Sequence, residues 1–198
     1  VTSVWAIRRG ESAVAASFGG PVAHIAGMDM PFPYAVARYR YGLTDRVGLS
    51  ASGHLTAAAL GVVGVDAGLS SQFTDQDGWV PALSATAGLT AFVEPGGEEA
   101  LFPGADVVAS YLVARRYLVY FGSGAMFQLN ESPYAVLAPL VGAEVRLGRG
   151  FSLGLETRWY GPGEKTKPRN VNYKMSIGGK GALGFVLGAG YSFGGWYE

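Results

Sequence analysis

The 198-residue sequence predicts an all-β protein, a closed antiparallel up-and-down transmembrane β-barrel of about ten strands, with eight or twelve strands as the alternatives. Apolar residues make up 49% of the chain and charged residues only 15%, whereas charged residues are roughly a quarter of a soluble domain. The 31 glycines and ten prolines disfavour helices, because each interior glycine costs a helix about 1 kcal/mol. Apolar and polar residues also alternate with a period of two, which indicates strands with two different faces.

A single domain spanning residues 1–198 is predicted, because no linker or charge block divides the sequence. The longest apolar stretch, Leu55 to Val65, is closed by His54 and Asp66 and is shorter than the roughly 18 residues that a membrane-spanning helix needs. The chain has no cysteine, which excludes disulfides and thiolate metal sites. No signal peptide is visible at Val1, so for an exported protein we expect it either to have been removed or to lie outside this sequence.

The clearest hairpin surrounds the turn Thr44-Asp45-Arg46. In the segment from Tyr34 to Leu43, alanine, tyrosine and leucine alternate with Val36, Arg38 and Arg40. After the turn, from residue 47 to residue 55, leucine and valine alternate with glycine, serine and histidine. These two segments are therefore predicted to be antiparallel strands joined by a tight turn.

A second hairpin has the same design, with strands from Val136 to Leu147 and from Phe151 to Tyr160 around a turn at residues 148–150. Leucine, valine and phenylalanine form its apolar face, and Glu144 and Glu156 lie on the opposite face together with arginine, serine and glycine. Weaker alternation predicts the other strands, while the inward and outward faces stay open between residues 106 and 128. These six further strands cover residues 12–19, 62–72, 80–93, 106–115, 117–128 and 181–193.

The predicted connections alternate in length. Short turns fall at residues 44–46, 74–78, 115–116 and 148–150. Longer loops fall at 20–33, 94–105, 129–135 and 161–180, and the brief connection at 56–61 lies on the same side as these loops. Short turns at one rim and longer loops at the other are typical of bacterial outer-membrane barrels.

The polar face of the predicted strands indicates a crowded interior. A soluble sheet usually carries lysine and glutamate on its wet face, but here that face is rich in glycine, serine and threonine, and every basic residue in the strands is arginine. Buried charges need partners, so we expect ion pairs to fill the lumen and to leave at most a narrow path. The predicted lumen network is Arg38, Arg40, Asp66, Glu144, Arg146, Glu156 and Arg158.

The last predicted strand, "GALGFVLGAGYSF", places apolar side chains on one face and ends on Phe193. It resembles the C-terminal recognition strand of bacterial outer-membrane barrels, although the chain continues to Glu198, and "YGLTDRVGL" is similar to the turns of that superfamily. Tyr39, Tyr41, Tyr191 and Phe193 are expected in an interfacial aromatic belt.

As a whole, the sequence resembles the small barrels of the OmpA, OmpX and OmpW type. The resemblance implies an outer-membrane location, contact with outer-membrane lipid and insertion by the barrel-assembly machinery. It implies no single activity.

Ser52 and His54 share a face opposite Asp66, and the three residues together suggest a hydrolase triad as one interpretation. A lumen histidine in a polar network is the interpretation we favour, because the motifs of barrel lipid A deacylases, phospholipases and omptin-like proteases are not matched. We therefore expect no enzyme and no catalytic residues. Without clustered histidine, aspartate and glutamate, no metal or other cofactor is expected.

Two loops are candidates for binding. The apolar loop around His24, with Met28, Met30 and Phe32, could cover the barrel mouth, contact a protein partner or bind an apolar ligand. The last long loop is basic and could contact lipopolysaccharide phosphates or simply be solvated. Its basic residues are Lys165, Lys167, Arg169, Lys174 and Lys180.

The leading functional hypothesis is a structural, adhesive or partner-binding protein that acts through its extracellular loops. A narrow channel or carrier for small apolar molecules is the alternative, and a lipid-modifying enzyme comes third. Nucleic-acid binding is not expected, because the formal net charge is zero and no basic patch is interleaved with stacking aromatics.

Overall fold

The computed structural model describes residues 7–25, 28–94, 96–97, 99–129, 134–148, 150–165 and 174–194. Among them, no helix is long and apolar enough to cross a membrane. The one helix that these residues form, α1, has five residues, Leu55–Ala59. The strands are β1 (Ser12–Ile25), β2 (Met28–Pro31), β3 (Ala35–Gly42), β4 (Val47–His54), β5 (Val63–Thr74), β6 (Ala82–Val93), β7 (Glu99–Val113), β8 (Tyr117–Gln128), β9 (Tyr134–Gly148), β10 (Phe151–Lys165) and β11 (Lys180–Ser192).

Ten strands close into a barrel, as predicted. Each strand from β3 to β10 pairs antiparallel with the next strand in the sequence, and β1 pairs with β3. The ring closes where β1 pairs with β11, from Ala13↔Ser192 to Pro21↔Gly184. The short β2 pairs only with the distal part of β1 and stands outside the ring of ten.

The outer surface of the barrel is apolar. On every one of the ten strands, a large apolar or aromatic side chain points outward and is between 43% and 61% exposed. Such a continuous apolar band is too large for a surface in water and is the lipid-facing band of a transmembrane barrel. Its members include Phe18, Tyr39, Leu49, Leu69, Leu89, Val107, Phe121, Val141, Leu155 and Leu187.

The structure assigns the faces that the sequence left open between residues 106 and 128. Val107 and Phe121 point outward and are 59% and 52% exposed, whereas Val108 and Tyr120 point inward and are 2% and 0% exposed. Both faces of β7 and β8 carry large apolar residues, which is why period-two alternation could not distinguish them.

The loop at residues 20–33 predicted from the sequence is instead largely a hairpin. β1 continues through Ile25 and pairs with β2, with His24 opposite Asp29. Gly19, with φ +130°, lies so close to β11 that a Cβ atom would overlap the carbonyl oxygen of Phe185. The turn and loop residues of this segment concealed the strand extension, since glycine and proline normally interrupt strands.

Two other predicted loops are also shorter than expected. β7 begins at Glu99, within the predicted loop at 94–105, and β10 continues to Lys165, within the predicted loop at 161–180. The register of β10 against β11 shifts between Tyr160 and Lys165, so simple alternation ends where the irregularity begins.

Aromatic side chains cluster at the short-turn rim. The rings of Phe151 and Tyr191 lie 4.7 Å apart, and those of Tyr191 and Phe193 lie 5.2 Å apart in an edge-on contact. Tyr39 and Tyr41, on β3, are 47% and 39% exposed on the outer face. Amphipathic rings at this level are typical of an interfacial belt.

Candidate functional site: the barrel lumen

The inner surface of the barrel has two contrasting walls. β7, β8 and β9 contribute a cluster of buried apolar side chains, Val108, Leu118, Tyr120 and Leu140, each at most 5% exposed. We call this cluster the filled wall. Gly142 makes room for it, because a Cβ atom at this position would overlap the ring of Tyr120.

The filled wall carries a buried polar cluster. The Tyr120 hydroxyl donates a hydrogen bond of 3.0 Å to Glu156, whose residue is 1% exposed. Arg158 donates from Nε to the other Glu156 oxygen at 2.6 Å and from Nη1 to Asp106 at 3.1 Å. One guanidinium thus pairs with two carboxylates, a geometry that the planar fork of arginine favours.

Tyr120 and Asp106 belong to this cluster although the sequence did not single them out. Asp106 needs the space left by Gly124, since a Cβ atom there would overlap its carboxylate. Both residues lie on the strands whose faces could not be assigned from alternation. The sequence could have indicated that Asp106 faces the lumen, because a lone aspartate on an apolar transmembrane strand is costly unless it points to the lumen.

The opposite wall is lined by small residues and leaves space. β1, β4, β5, β6 and β11 direct glycine, alanine, serine and threonine inward, and we call this surface the small-residue wall. Two cavities lie against it. The lower cavity, of about 400 Å³, reaches the short-turn end and includes Ser17, Gly154 and Gly188. The upper cavity, of about 340 Å³, reaches the loop end and includes Ser50, Gly68 and Gly88.

Three residues lie between the two cavities. Ser17, Arg38 and Arg40 line both of them, and we call these three residues the junction. Arg38 donates from Nε to the Ser52 hydroxyl at 2.9 Å, and its Nη2 lies 4.0 Å from Asp66. Any solute that crosses the barrel along the small-residue wall passes these side chains.

All seven residues of the predicted lumen network line one or both cavities. The structure distributes them over three places. Arg38 and Asp66 lie near His54, Glu156 and Arg158 lie beside Tyr120 of the filled wall, and Arg40, Glu144 and Arg146 face the lower cavity. The network is thus divided into clusters, and it leaves room between them.

His54 is a lumen residue held on both ring nitrogens. Its Nε2 lies 2.7 Å from the Asp66 carboxylate, and its Nδ1 contacts the Tyr34 hydroxyl. A carboxylate only accepts, so Nε2 carries a proton, and Nδ1 is occupied by the Tyr34 hydroxyl. The ring also packs against Phe92, 5.0 Å between centroids.

This arrangement does not assemble the triad considered from the sequence. The Ser52 hydroxyl accepts the hydrogen bond from Arg38, and the acceptor nitrogen of His54 is occupied by Tyr34. A serine nucleophile needs that nitrogen as its base. In the part of the chain that the structure describes, no three histidine, aspartate or glutamate side chains are grouped as a metal site.

The segment at residues 7–11 crosses the short-turn end of the lumen. The Gly10 N–H donates to the Gly42 carbonyl and the Gly42 N–H to the Glu11 carbonyl, both at 2.9 Å. Ile7 is 8% exposed and lines the lower cavity together with Arg8. A Cβ atom on Gly42 would overlap the Arg8 carbonyl oxygen, so glycine is required where this segment crosses.

The described residues include only part of the predicted basic loop. Lys167 and Arg169 lie outside the described residues, as does the side chain of Lys165. Lys165 pairs through its backbone with Lys180 at the loop end of β10 and β11. Lys174 is exposed, and its N–H donates to the Val22 carbonyl at 2.9 Å.

In the other binding candidate, the β1–β2 hairpin, His24 and Asp29 contact each other through Nδ1 and a carboxylate oxygen at 2.6 Å on the exposed surface. This contact joins the two strands of the hairpin. The upper cavity is lined by Gly19 and Tyr34, on either side of the hairpin.

Comparisons with known proteins agree with the fold. The translocator domain of the autotransporter NalP from Neisseria meningitidis is similar with a TM-score of 0.53 at 12% identity, covering 93% of this chain and 89% of that one. An outer-membrane channel from Pseudomonas putida F1 has a TM-score of 0.53 at 13% identity, covering 98% and 99%.

No family model matches the sequence, and no curated protein matches it. The fold is that of the bacterial outer-membrane barrels, and the apolar outer band is the surface that a transmembrane barrel presents to lipid. The structural matches at these identities concern the fold alone.

Proposed function

We propose that the protein is a narrow outer-membrane channel for small hydrophilic solutes, which pass along the small-residue wall. The observation that supports this proposal most strongly is the pair of lumen cavities that share Ser17, Arg38 and Arg40. One cavity reaches each end of the barrel. A ten-stranded barrel has room for such a path beside its interior side chains, but not for a wide pore.

The lining favours hydrophilic solutes over the apolar molecules considered from the sequence. Arginine, carboxylate and serine groups line both cavities, and an apolar solute would have to displace the water that solvates them at a cost. The upper cavity also has apolar lining residues, including Val36, Phe102 and Met126. The residues shared by both cavities, however, are the polar and charged Ser17, Arg38 and Arg40, which an apolar solute would have to pass.

Closing the junction tests the proposal. Ser17 faces the lumen beside Gly188 on β11 and Val36 on β3, so the side chain of Ser17→Trp would occupy the space between the cavities. We expect the purified protein to conduct ions across planar lipid bilayers and Ser17→Trp to abolish that conductance.

Ala16→Trp is the matched control, because Ala16 precedes Ser17 on β1 and points to the opposite, lipid-facing side, where tryptophan is tolerated. It should conduct like the wild type. Heat-dependent gel migration verifies that each variant is a folded barrel. A folded wild type that does not conduct, or equal conductance in both tryptophan variants, would contradict the proposal.

A second candidate function is partner binding, adhesive or structural, through the loop end. Exposed apolar side chains at that end favour it, namely Met28, Leu60 and Leu129, which are 58%, 73% and 56% exposed. Apolar groups beyond the membrane-spanning strands are typical of contact surfaces. A barrel that folds but does not conduct would leave this candidate as the better explanation.

Contact with lipopolysaccharide through the basic loop is a further part of the proposal. Lys174 and Lys180 are exposed at the loop end, where cationic side chains can bind phosphate groups. The remaining basic residues of this loop are Lys165, Lys167 and Arg169.

A further inference from the structure

We propose that residues 7–11 form a displaceable strap, which limits passage through the short-turn end of the lumen while it is seated and leaves that end while the barrel stays folded. This inference rests on the proposed channel function, because a strap limits passage only where there is a path. The strap lies at the short-turn end of the lower cavity, which Ile7, Arg8 and Glu11 help to line.

A tight turn directs the strap inward. The Glu11 N–H donates to the Arg8 carbonyl at 3.0 Å, and Gly10, the third residue of this turn, has φ +80°. A positive φ at the third position is that of a type II turn and favours glycine. The segment before Ser12 therefore crosses the mouth of the lumen instead of continuing the line of β1 along the barrel wall.

The barrel wall provides a seat for the strap at Gly42. This residue lies at the end of β3, and a Cβ atom there would overlap the carbonyl oxygens of Arg8 and Ile7. The backbone of Gly42 has no positive φ. The close approach of the strap, and not the conformation of the strand, thus accounts for glycine at this position.

The backbone of the strap is held by fewer hydrogen bonds than a strand. Two hydrogen bonds of 2.9 Å join it to Gly42, and the Arg9 N–H reaches the Asp45 carboxylate at 3.3 Å. By comparison, β1 pairs with β3 at seven consecutive positions. Ile7 is 8% exposed, whereas residues 8–10 are exposed, so the strap buries little apolar surface. Local opening of such a segment costs less than unfolding of the barrel.

Another part of the same mouth is fixed more firmly. The Gln76 side chain accepts a hydrogen bond from the Leu112 N–H at 2.6 Å and donates one to the Leu112 carbonyl at 3.5 Å. These contacts hold the turn at residues 74–78 against the end of β7. Asp75, in the same turn, pairs with Arg46 at 2.8 Å. Opening at this end of the lumen is therefore expected at the strap and not at this turn.

Displacement of the strap is measured first, without relying on transport. The chain has no cysteine, so Ile7→Cys places a single thiol on the buried residue of the strap. Its rate of modification by a small, charged thiol reagent is followed in lipid vesicles. Gly42→Val should increase this rate by about tenfold or more, because the added side chain overlaps the seated strap and overpacking of this kind shifts an equilibrium by that order.

Gly53→Val is the matched control for Gly42→Val. Gly53 lies on β4, four positions after the outward-facing Leu49, and a Cβ atom there would meet nothing within 4 Å. It should leave the modification rate of Ile7→Cys unchanged. Heat-dependent gel migration verifies that every variant is a folded barrel.

A second variant, Gly10→Val, acts from the strap itself and adds no atom to the barrel wall. A β-branched residue is costly at φ +80°, so the turn should be lost and the thiol of Ile7→Cys should again react faster. Gly78→Val is its control, because Gly78 also has a positive φ, +52°, but lies outside the strap. Equal modification rates in all four valine variants would show that the strap is not seated and would overturn the proposal.

Conductance across planar lipid bilayers then tests whether the seated strap limits passage. Gly42→Val and Gly10→Val should conduct more than the wild type, and the two controls should conduct like it. Faster modification of Ile7→Cys without any rise in conductance would refute the role of the strap but not the channel. A protein that conducts in none of these forms would refute the channel, and with it the limit that the strap sets.

Discussion

The filled wall and the small-residue wall belong to the same barrel and follow the same alternation, yet one closes the lumen and the other leaves it open. On β7 to β9 the inward positions carry Leu118, Tyr120 and Leu140, which are at most 5% exposed. On β4 and β5 the inward positions carry Ser50 and Gly68, which line open space. The size of the inward residue, not the pattern of the strand, decides where the lumen is closed.

The difference also separates two uses of lumen charge. At the filled wall, Glu156 and Arg158 lie 2.6 Å apart beneath Tyr120, and their pairing holds the interior together. At the junction, Arg38 and Arg40 face cavities on both sides. Charges of the first kind stabilise the barrel, whereas charges of the second kind would meet solutes in the proposed channel.

The largest expected effect comes from breaking the filled wall at Arg158. Arg158→Ala leaves Glu156 and Asp106 without their shared cation, and an uncompensated buried charge costs about 3–5 kcal/mol. We expect a corresponding loss in the free energy of unfolding, measured by urea titration of the barrel in lipid vesicles with tryptophan fluorescence.

Arg46→Ala is the control for that measurement. Arg46 and Asp75 form a pair of 2.8 Å whose side chains are 57% and 68% exposed, so its loss should cost less than about 1 kcal/mol. Equal destabilisation by the two alanine variants would show that the filled wall has no special role.

A smaller loss of stability is expected when a larger side chain is introduced into the filled wall. Gly142→Val would drive a side chain into the ring of Tyr120, and such overpacking costs about 1–3 kcal/mol. Ser50→Val, on the small-residue wall, gives up only a long hydrogen bond of 3.4 Å to Gly68 and should stay within about 1 kcal/mol of the wild type. The same urea titration measures both, and a cost for Ser50→Val equal to that of Gly142→Val would contradict the contrast between the walls.

Much of the fold was predictable because it depends on alternation. The ten barrel strands, the tight turns and the lipid-facing side of most strands follow from residues such as Leu49 and Leu155, which repeat every second position. The strand extensions around Gly19 and Glu99 were not predictable, because glycine, proline and charge at those positions resemble loop sequence.

The lumen could be predicted only in part. Isolated charges such as Arg38 and Glu156 indicate the interior, because a charge on the lipid face of a barrel is costly. Their partners could not be read from the sequence. Asp106 and Tyr120 lie 50 and 36 positions before Glu156 in the chain, and only the closure and register of the barrel bring the three side chains together.

Access of water to the two walls tests the central claim most directly. The chain has no cysteine, so in each single-cysteine variant the reagent can modify only the introduced thiol. The variants are Ser17→Cys and Ser50→Cys on the small-residue wall and Val108→Cys and Leu140→Cys on the filled wall. In lipid vesicles with a small, charged thiol reagent on both sides, the first two should be modified and the last two should react only after unfolding in urea. Equal protection of all four would contradict a water-filled path along the small-residue wall.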